Sequence, residues 1–294
     1  MTFAPQSSAF PPAYHLVRDL RIEIARPTGD WQIRIPIGPE ILDASGRPRV
    51  GILAVIADMI AGQTAIREVA PAWIATSNLS LSVSELPSEG MLVGRPKVLR
   101  KGATTIVIEV ELEHTLEQQD RGQPVGITTL GFAILPRRNE LQAELHRTRA
   151  NGVDSVYAAP GAGLTKPLLE AMDIAFDASD PGTAEVAVDP YLQNTLGALQ
   201  GGIVAIFVEA TAERFAASVL GAPVRVRGLE LQYLKLGKVG PIRARARELG
   251  RTASGLIVRV ELDDRGQGEA LLTVATVWID RLVSAPGSQA GRSL

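Results

Sequence analysis

The chain has 294 residues, 46% of them hydrophobic and 21% charged, with a formal net charge of −2. That balance excludes disorder, offers no basic stripe for nucleic acid, and leaves enough apolar material for two ordinary domains. The absence of cysteine excludes disulfides, Cys-ligated zinc, iron–sulfur clusters and any thiol nucleophile.

The N-terminal stretch Met1-Thr2-Phe3-Ala4-Pro5-Gln6 lacks the basic residues and apolar run of a signal peptide. No run of about 18 consecutive apolar residues follows, so a cytoplasmic chain without a membrane span is expected. The three histidines, His15, His114 and His146, are far apart in sequence, so neither a histidine metal cluster nor a Ser-His-Asp triad is expected, and no metal ligands are assigned.

The first predicted elements are a short strand over 33–37 and, after a loop, an almost wholly apolar segment from Gly51 that includes Ile52, Leu53, Val55, Ile56 and Ile60. It runs for about 17 residues before a breaker, too long for a typical strand, and a helix hydrophobic nearly all round is a buried helix. Long strands follow. Residues 105–113 alternate, with Ile106, Ile108, Val110 and Leu112 on one face and Glu109, Glu111 and Glu113 among those on the other, as an antiparallel sheet with one wet face requires. Asp120-Arg121-Gly122 reads as a hairpin turn.

The chain then repeats itself. Ile35-Pro36-Ile37-Gly38-Pro39 matches Val186-Ala187-Val188-Asp189-Pro190 at an offset of 151, which also aligns Gly46 with Gly197, Gly51-Ile52 with Gly202-Ile203, and Asp58 with Glu209. After one slip, an offset of 150 aligns Leu79 and Leu81 with Leu229 and Leu231, and Val110-Glu111-Leu112 with Val260-Glu261-Leu262. The second copy again predicts a short strand (184–188), an apolar helix from Gly202, and a final alternating strand with Val258, Val260 and Leu262 inward, followed by an Asp263-Asp264-Arg265-Gly266 turn. The expected organisation is an N-terminal domain over 1–140, a Pro/Gly-rich connection over 141–165 and a C-terminal domain over 166–294. The expected fold class is α+β, each half a central helix wrapped by a curved antiparallel sheet.

Asp58 and Glu209 are isolated acids inside apolar helices, at equivalent places in the two copies. An unpaired carboxylate in a dry environment costs several kcal/mol, so each must be paired, open to a cleft or raised in pKa. Gln200-Gly201-Gly202 directly precedes the second helix. Glycines at a helix start leave backbone N–H groups reachable by a ligand, and the helix dipole adds positive charge there. Those are the needs of an oxyanion hole, although a tight loop-to-helix turn has the same sequence.

With Asn194 upstream and Glu209 downstream, the second half reads Asn-x6-Gly-x7-Glu. It resembles the hotdog-fold acyl-CoA thioesterases, the superfamily of 4-hydroxybenzoyl-CoA and phenylacetate-pathway thioesterases. Their motif is an Asn or Gln, then His-Gly-Gly opening the central helix, then Asp or Glu about two turns along it. The resemblance covers roughly 14–135 and 166–284 and implies a tandem (double) hotdog. Gln200 stands where that family usually has His; in the first half Asp43 replaces the Asn and Arg49-Val50-Gly51 the His-Gly-Gly.

In that family the site lies between two hotdogs, which implies one complete site combining Asn194 and Gly201 with Asp58. A second, weak or dead site would combine Glu209 with Asp43, Val50 and Gly51, because Asp43 would place negative charge near a developing oxyanion. Gln200 and Gly202 are expected to bind substrate. Gln63 and Thr64, about one and a half turns beyond Asp58, would position water or lie on a wet helix edge. Arg225, Arg227, Lys235 and Lys238 are candidates for the nucleotide phosphates. The implied activity is thioester hydrolysis on an acyl-CoA, with coenzyme A as part of the substrate, no separate cofactor, and assembly into a homodimer or higher homo-oligomer. The alternatives are a non-catalytic acyl-CoA-binding protein and, lower, a hotdog hydratase or dehydratase, which would need a histidine beside the acid.

Overall fold

A computed structural model describes residues 11–25, 30–116, 122–137, 155–157 and 163–282. Thirteen strands occur among these residues. In the first half they are β1 (Glu23–Ala25), β2 (Gln32–Pro36), β3 (Trp73–Val83), β4 (Met91–Lys101), β5 (Thr105–Thr115) and β6 (Gln123–Leu135), followed by β7 (Ser155–Val156). In the second they are β8 (Ala175–Phe176), β9 (Thr183–Val186), β10 (Val224–Tyr233), β11 (Ile242–Arg251), β12 (Gly255–Asp264) and β13 (Ala270–Arg281).

They form one sheet in the order β7-β1-β2-β4-β5-β6-β3-β10-β13-β12-β11-β9-β8. Outward from the β3–β10 junction, the order β3, β6, β5, β4, β2, β1 mirrors β10, β13, β12, β11, β9, β8. The junction is antiparallel, pairing Asn78–Ser82 with Gly228–Gln232. Bulges recur at equivalent places, Thr76/Asn78 in β3 and Val226/Gly228 in β10. Gly46 and Gly197, which match in the repeat, have φ of +74° and +71° in the loops before the helices, a region closed to most side chains.

Each half carries one long helix packed against its part of the sheet. The first central helix is Val50–Glu68 and the second Gly201–Leu220, close to the two apolar segments. Inward side chains of the alternating strands meet them: Ile106, Ile108, Val110 and Leu112 in β5, and Val258, Val260 and Leu262 in β12, are all buried. Each such aliphatic side chain contributes roughly 1.5–3 kcal/mol by leaving water. The first central helix is long and apolar enough to cross a membrane, but 72% of its apolar window is buried inside the protein. That is the pattern of a core helix. Most of the connection expected at 141–165, and the turn residues Asp120 and Arg121, lie outside the described residues.

The two central helices pack on each other at their N-terminal ends. A Cβ at Gly202 would stand 2.5 Å from Val55 Cα, and one at Gly51 would stand 2.6 Å from Ile206 Cα. These are matching positions in the repeat. Glycine is needed at both because backbone meets backbone there.

Candidate active site

The helix crossing brings each central acid to the start of the opposite helix. Glu209 accepts from the Val50 N–H at 2.7 Å and the Gly51 N–H at 2.8 Å, one bond to each carboxylate oxygen. Asp58 accepts from the Gly202 N–H at 3.2 Å on Oδ2 and from the Thr76 hydroxyl at 3.0 Å on Oδ1. Both arrangements place a carboxylate where first-turn N–H groups lack intrahelical partners.

Beyond that the two acids differ. Glu209 is 2% exposed and does not line the cavity that Asp58 lines. Burial pushes its carboxyl up to about 7; nearby Arg49 opposes this, Glu213 adds to it, and the two N–H bonds also lower it. Arg49 itself pairs with Glu213 at 2.6 Å. Asp58 is only partly buried and lines a cavity of about 180 Å³ at the junction of the halves, shared with Thr76, Asn194, Gln200, Gly201 and Tyr233. Burial raises its carboxyl above the ordinary range, while the bonds from Thr76 and Gly202 pull it down. Apolar walls come from both halves, Met59, Ile66 and Phe132 from the first and Leu199, Val204 and Leu262 from the second.

The groups around Asp58 have distinct hydrogen-bonding states. Gly201 presents a backbone N–H with no partner among the described residues, and a Cβ there would lie 3.0 Å from both Asp58 oxygens. Asn194 Oδ1 is held by the Leu196 and Ala198 N–H groups at 2.8 and 3.3 Å, which leaves the amide NH2 as its group for a ligand. Gln200 is 7% exposed and its Oε1 has no hydrogen-bond partner. A buried carboxamide oxygen left unpaired is costly, so a donor from a ligand or water belongs there. The Tyr233 hydroxyl donates to the Gly201 carbonyl at 2.9 Å.

Asp58, Asn194, Gln200, Gly201 and Gly202 are therefore brought together. Gln63 also lines the cavity, but its amide NH2 donates to the Tyr157 hydroxyl and its oxygen accepts from Arg67. Four other candidates lie apart from this cavity. Thr64 donates back to the Ile60 carbonyl at 2.8 Å and does not line the cavity, as suits a threonine on a helix edge. Gly51 is capped by Glu209. Asp43 Oδ1 is occupied by Ser45 and the Arg47 N–H in its own loop, the counterpart of the Asn194 turn. Glu209 lies away from the cavity, with a bond to each oxygen.

Of the candidate phosphate ligands, Arg225 and Arg227 both pair with Glu85, at 2.5 and 2.7 Å, whereas Lys235 stands exposed at the cavity rim. His15 bonds the Gln193 carbonyl and His114 the Glu89 carbonyl; neither lines the cavity. His146 lies outside the described residues.

Two groups at the site are not among the sequence candidates: Thr76 and Tyr233. The available signal was a break in the repeat, since their counterparts at the 150 offset are Val226 and Val83.

One long helix per half, laid on a large antiparallel sheet, is the architecture of the hotdog fold, and the chain is similar to solved structures of that kind. A protein of unknown function with a hot dog fold from Alicyclobacillus acidocaldarius matches with a TM-score of 0.58 at 14% identity, over 92% of this chain and 98% of that one. A tesB protein of Mycobacterium avium subs paratuberculosis matches with a TM-score of 0.63 at 12% identity, over 91% and 98%. An acyl-ACP thioesterase from Bacteroides thetaiotaomicron gives 0.52 at 13%, over 85% and 97%. At such identities the likeness is one of fold. No family model matches the chain, and no curated protein matches it in sequence.

Proposed function

We propose that this chain is a tandem hotdog thioesterase, built from two copies of one domain, that hydrolyses an acyl-CoA thioester at a single site around Asp58. The observation that carries the reading is the juxtaposition of the Asp58 carboxylate with an unpartnered helix N-terminal N–H, Gly201, in a cavity with apolar walls. The thioester carbonyl oxygen accepts from the Gly201 N–H, where the helix dipole favours negative charge as it develops. The Asn194 NH2 orients the acyl group or the water. Gln200 Oε1 accepts a hydrogen bond from the same water or from the substrate.

Asp58 then acts in one of two ways. As a base it takes a proton from water while the water oxygen bonds to the acyl carbon; the tetrahedral intermediate breaks its C–S bond, and the thiolate leaves with the proton that Asp58 returns. As a nucleophile the carboxylate bonds to the acyl carbon itself, expels the thiolate, and water hydrolyses the resulting anhydride. Thr76 and Gly202 hold the carboxylate oriented for either route. The products are a carboxylic acid and coenzyme A, and no separate cofactor takes part.

A free-thiol assay over a panel of acyl-CoA chain lengths tests the reading. The wild type turns over at least one chain length, with kcat/KM rising with pH through the elevated Asp58 carboxyl, and Asp58→Asn loses about a thousandfold of kcat. Saturable acyl-CoA binding without turnover by the wild type would replace the reading with that of a binding protein.

A further inference from the structure

The first turn of the second central helix is weakly held by its own sequence. It begins Gly201-Gly202, the least helix-favouring residues apart from proline, and its N-cap Gln200 makes no side-chain cap bond. The matching turn of the first central helix is held by Glu209, which binds both the Val50 and Gly51 N–H groups. At the open site Asp58 binds only the Gly202 N–H, so the Gly201 N–H stays free and one tie is missing.

A different side chain supplies a tie to this turn. The Gly201 carbonyl and the Gly202 N–H are the two ends of one planar peptide unit. Asp58 holds the N–H end at 3.2 Å, and the Tyr233 hydroxyl, from the end of β10, holds the carbonyl end at 2.9 Å. In the other half the residue matching Tyr233 is Val83, which has no hydroxyl to donate.

We propose that Tyr233 is a positioning residue, which clamps the Gly201–Gly202 peptide to the sheet so that the Gly201 N–H stays aimed into the cavity while Asp58 remains available for chemistry. The catalytic part of this inference rests on the thioesterase reading; the clamp itself does not.

Tyr233→Phe removes one oxygen and keeps the ring. Residue-resolved amide hydrogen exchange on the full chain reads the clamp directly. Exchange at Gly202, whose N–H bonds Asp58, rises by about tenfold or more, while Val50 and Gly51, held by Glu209, exchange as in the wild type. In the thiol assay kcat falls about tenfold or more and KM stays within about threefold, the mark of a lost transition-state contact rather than lost substrate binding. Tyr233→Val, which installs the side chain of the other half, reproduces both effects. Unchanged exchange at Gly202 overturns the clamp, and so does a rise in KM at unchanged kcat. A wild type that hydrolyses no thioester overturns the function instead, and the exchange result still decides the clamp.

Discussion

Asp58 and Glu209 hold matching positions in the repeat and meet opposite surroundings. Each reaches the first turn of the other's helix, but Glu209 is sealed there with a bond to each oxygen, whereas Asp58 keeps one side open to a cavity. The sealed acid has a consequence for stability. Its carboxyl stands at about 7 in the folded protein against an ordinary 4.5, because burial outweighs Arg49 and the two N–H bonds. Between those values the folded state binds more protons than the unfolded chain, so this contribution is complete below about 4.5 and is lost as pH rises through about 7. Glu209→Gln removes the titration. The thermal midpoint of the variant should therefore gain on that of the wild type as pH rises across the window, by the equivalent of a few kcal/mol. A constant difference between the two midpoints across that window would show that Glu209 does not titrate there.

At the scale of elements, the two central helices and the strands around them are legible in sequence because each has a strong period of its own. The apolar helices were too long for strands, and β5 and β12 alternate cleanly. Their contact with one another is visible only as a repeated glycine, Gly51 and Gly202, whose reason is the close approach of backbone to backbone. Gly202→Ala would push a methyl into Val55 Cα from 2.5 Å, so overpacking should cost about 3 kcal/mol or more in urea unfolding, with loss of the Asp58 bond. A cost below about 1 kcal/mol would mean that the helices separate easily.

The candidate site was half legible. Asp58, Asn194, Gln200 and Gly201 stand out because an acid in an apolar helix and a Gly-Gly helix start are local anomalies. Thr76 and Tyr233 are an unremarkable threonine and tyrosine at strand positions, and reach Asp58 and Gly201 only through tertiary pairing. Gly51, Asp43 and Glu209, expected to form a second, weak or dead site, lie apart from the cavity, with their polar groups bonded to each other or within their own loop.

At the scale of the whole molecule, the halves are joined by a continuous sheet through β3 and β10, by the packed central helices with their reciprocal carboxylate-to-helix contacts, and by ion pairs such as Arg49–Glu213 and Arg225–Glu85. The N-terminal segment adds a further tie, with His15 bonding the Gln193 carbonyl at 2.8 Å and Asp19 accepting from the Tyr191 hydroxyl at 2.7 Å, both in the loop that carries Asn194. Halves so connected should unfold together. Circular dichroism and tryptophan fluorescence, which sees Trp31 and Trp73 in the first half and Trp278 in the second, should give coincident thermal transitions; two separated transitions would mean independent halves. The proposed function rests on the same asymmetry, since of the two matching acids it is Asp58 that lines the described cavity beside a free N–H and a supporting hydroxyl. The most direct test of that claim is thiol release from acyl-CoA by Asp58→Asn and Glu209→Gln side by side. One working site at Asp58 requires that Asp58→Asn loses about a thousandfold of kcat while Glu209→Gln stays within about tenfold of the wild type. Loss in Glu209→Gln with activity retained in Asp58→Asn would contradict it.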